Sequence, residues 1–265
     1  MSEAYEVGRS IYLPNRYVIC YHIRLNPEAF EEVGALQSVL EAFTRRKISI
    51  VHIKLSRLRP RRPVEASVFV DVTDKKNSIN DIERDLRKLR FTKEITVINP
   101  LPSGIILDNT LFPLSFMGER AIICTESFFK ALLKDMREYL GTAHAVWLYH
   151  VGVNTGCNLY EKILKIVNKE RIDEIVHLAQ GLLQHVGFGI IRITYDVSRC
   201  QASIDVKDSF ECKLFSNSQQ PESHYLRGML AGFLSKVFKR EVKVEEHKCI
   251  AMGDEYCEFK ANPLT

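Results

Sequence analysis

Two cysteines near the end of the chain have a spacing that could support chemistry. Cys249 and Cys257 are the first and last residues of the segment CIAMGDEYC, and the Gly-Asp pair between them predicts a tight turn. Thiols at the ends of such a turn can form a disulfide, bind a metal ion, or remain reduced neighbours. Their separation of eight positions does not by itself decide among the three.

The composition restricts the compartment and the partners. The chain has 265 residues, 46% hydrophobic and 26% charged, and its seven cysteines are an odd number. The N-terminal MSEAYEVGRS carries acidic residues where a secretory signal has a basic segment, and no apolar run is long enough to span a bilayer. We therefore expect a cytoplasmic protein without membrane partners, in which a disulfide is the least expected state. A net charge of +4 and the lack of a helix-turn-helix pattern predict no direct nucleic-acid motif.

The first hundred residues follow a β-α-β-β-α-β order. Runs of apolar residues predict the strands, and apolar residues at helical spacing predict the helices. The predicted strands cover 17–24, 48–55, 65–72 and 93–99, and the predicted helices cover 27–45 and 77–89. This order is typical of the split βαβ plait, which lays two helices on one face of a four-stranded antiparallel sheet.

The segment EEVGALQSVLEAFTRRKISIVHI resembles the glycine-leucine segment and second strand of ACT domains. The resemblance covers roughly residues 15–100 and implies a regulatory or dimerisation domain over residues 1–100. It also implies an effector site at Gly34, Ala35 and Leu36, where the first helix starts. A glycine at that point leaves the backbone open to a small ligand.

Residues 101–116 are rich in proline and glycine, and we expect them to link this domain to a second one over residues 117–265. The second domain mixes helical and strand patterns. The predicted helices cover 125–140, 142–167, 172–186 and 223–238, and the predicted strands cover 188–196, 199–208, 209–215 and the two arms of the final hairpin. The expected fold class is α+β: an ACT-like βαββαβ plait followed by an α/β domain with an antiparallel sheet and packed helices.

The ending HYLRGMLAGFLSKVFKREVKVEEHKCIAMGDEYCEFKA resembles the 4-vinyl-reductase domain family, a family of hydrocarbon-binding domains. The family pattern is a helix with two glycines four apart, a strand ending in a glutamate and then a cysteine, a Gly-Asp turn, and a second cysteine followed by one residue and an aromatic. The corresponding residues are Gly228, Gly232, Glu246, Cys249, Gly253, Asp254, Cys257 and Phe259. The resemblance covers roughly residues 117–262 and implies a domain that binds small, mostly apolar molecules.

In some aromatic sensors of this family, the two hairpin cysteines join a third cysteine at the start of the two-glycine helix, and a carboxylate, to hold zinc. Here Ser223 stands at the third position, and His224 follows it. Zinc is therefore the candidate cofactor, because it accepts thiolate, imidazole and carboxylate ligands. The candidate metal ligands are Cys249, Cys257, His224 and, as the fourth, Glu211 or Cys212. A metal-free pair of thiols remains the alternative.

An apolar ligand calls for aromatic and aliphatic side chains with a few polar groups that fix its orientation. The candidate ligand-binding residues are Trp147, His150, Phe210, Met229 and Phe233. His150 lies three residues after the only tryptophan, on the same face of a predicted helix, so a polar donor and an aromatic plane could face one ligand.

These features predict a ligand-sensing regulatory protein that binds a small hydrophobic molecule in its second domain and signals through a dimer or domain rearrangement. The expected partners are the ligand, a second copy of the chain in a homodimer, and a regulatory protein. The sequence has no Gly-rich phosphate loop, nucleophile elbow or HExxH motif, so an enzyme is not expected. The alternatives are a reductase or tetrapyrrole-handling enzyme and a non-catalytic scaffold or assembly subunit.

Overall fold

The computed structural model describes Val7 and residues 10–56, 61–167 and 171–264. The chain divides into two compact units, Met1–Ile122 and Ile123–Thr265. The segment 101–116, where we expected a linker, belongs to the first unit. In the described part of the chain, no helix is both long enough and apolar enough to cross a membrane.

The first unit contains the predicted plait. Its elements in chain order are β1 (Ser10–Tyr12), β2 (Val18–Leu25), α1 (Ala35–Thr44), β3 (Ser49–Leu55), β4 (Val64–Asp71), α2 (Ile79–Lys88), β5 (Thr92–Ile98), β6 (Ile105–Leu107), β7 (Ser115–Phe116) and β8 (Glu119–Arg120). Strands β3, β4, β2 and β5 lie side by side in that order, and every neighbouring pair is antiparallel. The β-α-β-β-α-β order predicted from the sequence is thus confirmed.

Alternation along β2 and β4 gives the sheet two apolar faces. On the helical face, the buried ring of Tyr21 lies 5.3 Å from the ring of Phe43, and its hydroxyl donates to the carbonyl of Ile79 over 3.0 Å. On the opposite face, Phe69 packs in a smaller cluster with Ile106 of β6. Strand β6 pairs with β1, and this two-stranded sheet was not predicted.

Helix α1 is shorter than the helix predicted over 27–45. Pro27–Phe30 form a single 3-10 turn, and Gly34 follows with a φ of +90°. This left-handed conformation interrupts an α-helix, and glycine adopts it without the steric cost of a Cβ. Helix α1 therefore begins only at Ala35.

The second unit combines helices with one larger sheet. Its elements are α3 (Glu126–Lys130), α4 (Arg137–Leu140), α5 (Ala143–Leu164), α6 (Ile172–His185), β9 (Ile190–Asp196), β10 (Gln201–Lys207), α7 (Phe210–Lys213), α8 (His224–Phe238), β11 (Val242–Lys248) and β12 (Cys257–Pro263). Strands β11, β12, β10 and β9 form an antiparallel sheet in that order. The α+β class expected for the chain is confirmed.

One face of this sheet carries the core of the second unit. Ile204 of β10 and Phe259 of β12 are register partners, and both are fully buried. The next pair, Ser203 and Lys260, points to the other face, where Lys260 is exposed. Leu234 of α8 belongs to the same apolar cluster as Ile204, so α8 packs on the inner face. An antiparallel sheet with one wet face explains the alternation in the sequence.

Helices α5 and α8 meet through backbone contacts at four glycines. Gly152 and Gly156 of α5 lie against the main chain of α8, and Gly228 and Gly232 of α8 lie against that of α5. A Cβ at any of the four would overlap main-chain atoms of the partner helix. The two helices therefore approach each other more closely than ordinary side chains would allow.

Residues 209–215, which we predicted to be a strand, contain the short helix α7 instead. The side chain of Ser209 accepts a hydrogen bond from the amide of Cys212 over 3.4 Å and caps this helix. A capping hydroxyl satisfies one of the amides that have no partner at a helix start. The helix predicted over 125–140 is likewise divided, because the π-helical turn Ala131–Asp135 separates α3 from α4.

Candidate functional site

Three thiols and one carboxylate lie together next to the start of α8. The Sγ atom of Cys212 is 3.4 Å from the Sγ of Cys249 and 3.5 Å from the Sγ of Cys257. Oε1 of Glu246 is 3.9 Å from the same sulfur, and the four ligand atoms all lie within 4.8 Å of one another. All three cysteines are fully buried. We call Cys212, Glu246, Cys249 and Cys257 the ligand cluster.

Separate elements bring these residues together. Cys212 comes from α7, Glu246 from β11, and Cys257 begins β12. Cys249 precedes a 3-10 turn that ends at Gly253, whose φ of +105° favours glycine. The tight turn predicted between the two hairpin cysteines is therefore present.

Negative charge in the ligand cluster is centred on Cys249. Hydrogen bonds from Cys212 and Cys257 lower the pKa of Cys249, because they stabilise its thiolate. The same hydrogen bonds, together with burial, raise the pKa of Cys212. Burial, aided by the charge on Cys249, raises the pKa of Glu246 to about 8. A bound cation would offset the cost of burying several negative charges here.

The ligand cluster fits a zinc ion. Zinc takes four ligands in a tetrahedron, prefers thiolates and accepts a carboxylate oxygen. A Zn–S bond of about 2.3 Å places tetrahedral sulfur atoms about 3.8 Å apart. The sulfur separations of 3.4 and 3.5 Å in the cluster are close to that value. The four residues of the ligand cluster are thus those that would hold zinc.

Two predicted metal ligands, Cys249 and Cys257, belong to the cluster, and Cys212, named as an alternative fourth ligand, supplies the third sulfur. Ser223 stands where some aromatic sensors of the family have a cysteine. Its hydroxyl donates to Oε1 of Glu246 over 2.8 Å, and its amide donates to Oε2 over 3.2 Å. Ser223 therefore orients the carboxylate, while the sulfur comes from α7.

The structure directs the other two predicted ligands, Glu211 and His224, away from the cluster. The carboxylate of Glu211 accepts hydrogen bonds from the amides of Tyr225 and Leu226, both over 2.8 Å, and so caps α8. Burial raises the pKa of Glu211 to about 7. Nε2 of His224 instead lies 3.7 Å from Oε2 of Glu222. Glu246, which we had not predicted to be a ligand, occupies the fourth position.

A cavity of about 790 Å³ lies beside the crossing of α5 and α8 and reaches the start of β11. Its volume is in the range of cavities that hold small organic ligands, about 300–1,000 Å³. The lining is largely apolar and includes Tyr149, Val153, Tyr160, Leu164, Ala231 and Val242. His150, Cys157 and Lys236 contribute polar atoms. We call this space the apolar cavity.

Of the five predicted ligand-binding residues, His150 lines the apolar cavity, and its ring meets that of Tyr149 edge-on at 5.6 Å. Met229 and Phe233 are each 2% exposed and lie in the core. Their main-chain atoms contact the glycines of α5, and this contact holds them at the helix crossing. Their side chains therefore fill the core beside the cavity and do not line it.

The remaining two predicted residues lie elsewhere in the second unit. Trp147 is 43% exposed, and its ring is 6.0 Å from that of His144. Phe210 packs edge-on against Phe129 with ring centres 5.3 Å apart. Neither lines the apolar cavity, and ligand binding by either stays a prediction.

The predicted effector site lies at the start of α1 in the first unit. Ala35 is buried, Leu36 is half-buried, and a Cβ at Gly34 would meet no atom of the described residues within 4 Å. The backbone at Gly34 is therefore open, as we expected. Nearby, Glu32 pairs with Arg90, and this pair offsets its negative charge. Effector binding at this point stays a prediction.

The fold of the second unit, with a ligand cluster at its final hairpin, defines a 4-vinyl-reductase domain. The model of this domain family matches residues 202–263, from β10 to the end of β12. A relative from Methanocaldococcus jannaschii, the uncharacterized protein MJ0150, is 30% identical over 180 residues, which are 67% of this chain and 91% of that protein. The chain belongs to the 4-vinyl-reductase domain family.

Two similar proteins are linked to phenol. The phenol regulator MopR of Acinetobacter guillouiae is 24% identical over 181 residues, 63% of this chain and 32% of MopR, so the chain spans about a third of that regulator. The phenol-responsive sensory domain of the transcription activator PoxR, solved with phenol, superimposes with a TM-score of 0.50 at 17% identity. This superposition covers 71% of the chain and 91% of the PoxR domain, and it shows a shared fold.

The sequence carried signals for the two ligands that we had not fixed. Ser209 and Cys212 have the spacing of a helix cap and the amide that it binds, which indicates α7 in place of a strand. Glu246 lies three residues before Cys249, and the register of β11 shifts between Glu246 and Lys248. Such a bulge redirects side chains, so simple alternation does not predict which way Glu246 faces.

Proposed function

We propose that the second unit binds a small, mostly apolar molecule in the apolar cavity and that the chain is a regulatory sensor without catalytic activity. The observation that carries this proposal is the apolar lining of the 790 Å³ cavity. Apolar walls with a few polar groups are the usual composition of small-molecule sites. The similarity to the phenol regulator MopR supports the same ligand class.

We further propose that the ligand cluster binds one zinc ion in a structural role. The cluster joins α7 to the final hairpin, and Glu246 also accepts two hydrogen bonds from Ser223, just before α8. A zinc ion at this point would fix the start of α8 relative to the sheet. Since α8 is one wall of the apolar cavity, the metal would stabilise the cavity without contacting the ligand.

Signalling in this proposal uses a homodimer and a change in the relative arrangement of domains. A ligand that binds one arrangement more tightly shifts the population towards it, and a regulatory protein partner would respond to that shift. The first unit would contribute dimerisation, an effector site at Gly34–Leu36, or both. We place this sensor in the cytoplasm.

Native mass spectrometry and thermal unfolding with phenol, toluene and naphthalene test the proposal. We expect a bound apolar molecule or a rise in Tm that saturates with ligand concentration, because binding to the folded state stabilises it. The variant Val153→Phe, which places a large ring in the cavity, should remove the effect. Val151→Phe, on the same helix but outside the lining, is the matched control.

Two results would contradict the proposal. One is a saturable Tm shift that persists unchanged in Val153→Phe, because the ligand would then bind elsewhere. The other is the absence of any shift with the three ligands together with a mass that shows no bound molecule. A flavin or metal-centred absorbance with turnover of a substrate would instead favour an enzyme.

A further inference from the structure

A second, smaller cavity in the same unit has a different chemical character. It has a volume of about 270 Å³ and lies between α5, the first turn of α8 and β11. Its lining residues are Ala145, Val146, Tyr149, His224, Arg227, Lys243 and Val244. Three of the seven are basic side chains and none is acidic. We call this space the basic cavity.

Two polar atoms at the basic cavity are buried without a hydrogen bond from any of the described residues. They are Nε of Arg227 and Nε2 of His224, and each is shielded from solvent. The contact that the described residues offer Arg227 is the face of Tyr149, whose ring centre lies 5.3 Å from the guanidinium carbon. Buried donors usually have a partner, so an unpaired guanidinium nitrogen beside an empty space indicates a missing acceptor.

Neighbouring acidic groups do not fill this role. Glu222 lies 3.7 Å from Nε2 of His224, but it is bound by Arg137 and by Ser218. Glu211, which acts on Arg227 only through longer-range charge, uses its oxygens to cap α8. Each of these carboxylates is therefore already satisfied by other donors.

The remaining charged groups leave the cavity positive. Glu245 pairs with Lys243 over 2.6 Å and is not part of the lining. Burial, together with the charge of Arg227, lowers the pKa of His224, so its ring is a neutral partner. The guanidinium of Arg227 is then the fixed cation at the inner end of the cavity. Its fork of donors matches the two oxygens of a carboxylate.

The walls indicate the rest of the ligand. Ala145, Val146 and Val244 are aliphatic, and Tyr149 presents an aromatic ring. Val146 is 60% exposed, so a bound molecule would cover apolar surface that now faces water. An inorganic anion would leave these walls unused, whereas an organic acid would contact them.

We propose that the basic cavity binds a small monocarboxylic acid with an apolar or aromatic body, held by Arg227 and His224. The carboxylate accepts hydrogen bonds from the guanidinium, and the body packs on Val146, Val244 and Tyr149. This site is separate from the apolar cavity of the proposed function, although Tyr149 lines both. An acid bound here and an apolar molecule bound there would therefore contact the same ring.

Isothermal titration with benzoate and with its neutral analogue benzamide tests this inference in the full chain. We expect one saturable benzoate site and at least about tenfold weaker binding of benzamide, because benzamide cannot form the charge-assisted hydrogen bonds that the guanidinium gives to a carboxylate. Raising the salt concentration should weaken benzoate and leave benzamide unchanged.

Arg227→Met should remove the preference for benzoate while keeping a side chain of similar length. Arg199→Met is the matched control, because it removes the same charge from a side chain that is 76% exposed and remote in sequence from the cavity. Val153→Phe, which fills the apolar cavity, should leave benzoate binding unchanged. This last variant separates failure of the carboxylate site from failure of the apolar site.

Equal affinity for benzoate and benzamide in the unsubstituted chain would overturn the inference, and that comparison needs no variant to fold. The lack of saturable benzoate binding would overturn it as well. So would Arg227→Met with undiminished preference for benzoate. Lys243→Met, at the exposed edge of the cavity, should weaken benzoate about two- to threefold if Arg227→Met does not fold.

Discussion

Gly228 of α8 lies against the main chain of Tyr149 of α5. A Cβ at Gly228 would stand 3.0 Å from the Cα of Tyr149 and still closer to its carbonyl oxygen. The side chain of Tyr149 in turn lines both the apolar and the basic cavity. The absence of one methyl group therefore determines the position of a residue that two cavities share.

Replacing Gly228 with alanine should destabilise the protein. The new methyl group would overlap main-chain atoms of α5, and overpacking of this kind costs about 1–3 kcal/mol. Gly181→Ala is the matched control, because Gly181 lies in α6 with no atom of the described chain near its missing Cβ. This control should be stabilised by about 0.5–1 kcal/mol, since alanine favours a helix. Urea unfolding of both variants decides the matter, and equal effects would contradict a glycine-specific contact.

Zinc content should depend on Cys212 and not on His224. We expect about one zinc per chain by elemental analysis, reduced to near zero in Cys212→Ser and in Cys257→Ser, because zinc needs its thiolates. His224→Ala should retain the metal, as should Cys124→Ser, which removes a thiol outside the ligand cluster. Loss of zinc in His224→Ala, with full zinc in Cys212→Ser, would restore the ligand set expected from the sequence.

Protein stability should fall as the pH rises through the range in which Glu211 titrates. Burial raises the pKa of this carboxyl from 4.5 to about 7, so between these values the folded state holds a proton that the unfolded state has released. The free energy of unfolding therefore decreases with pH. Between pH 5.5 and 6.5 the unsubstituted chain should lose about 1 kcal/mol more than Glu211→Gln.

Urea titrations at several pH values measure this difference. Glu174→Gln is the control, because the side chain of Glu174 is 48% exposed and its removal should leave the slope unchanged. Curves for Glu211→Gln that run parallel to those of the unsubstituted chain would show that Glu211 is not the titrating group.

Arg137 and Glu222 form an ion pair whose removal should be costly. The carboxylate of Glu222 is 3% exposed, and although burial opposes it, hydrogen bonds from Arg137 and Ser218 hold its pKa below the usual value. Arg137→Met would leave that charge buried without its cation, at a cost of about 3 kcal/mol. Arg137→Met combined with Glu222→Gln should recover part of the loss, and a double variant as unstable as the single one would argue against charge as the cause.

Much of the fold could be predicted because its elements are regular. The plait follows from alternating apolar residues in β2 and β4 and from helical spacing in α1 and α2. The pairing of β1 with β6 could not be predicted, because each strand has only three residues and about ninety residues lie between them. Short strands carry too little periodicity to be recognised.

The functional site was predicted in part. The family pattern identified Cys249 and Cys257, but the third sulfur comes from Cys212, which is 37 residues away in sequence from Cys249. Its position depends on how α7 packs, and no local pattern encodes that. Helical spacing also shows which residues share a face, but not whether that face meets the core or a cavity. Met229 and Ala231 of α8 illustrate this, since Ala231 lines the apolar cavity and Met229 does not.

The four glycines allow α5 and α8 only one alignment. A slide of one residue, about 1.5 Å along the axis, would bring a side chain against the partner main chain at each close contact. The helices can therefore remain engaged or come apart, but they have no stable intermediate offset. Because both cavities have walls from these two helices, a ligand that alters their packing would act as an on-off switch and not as a dial.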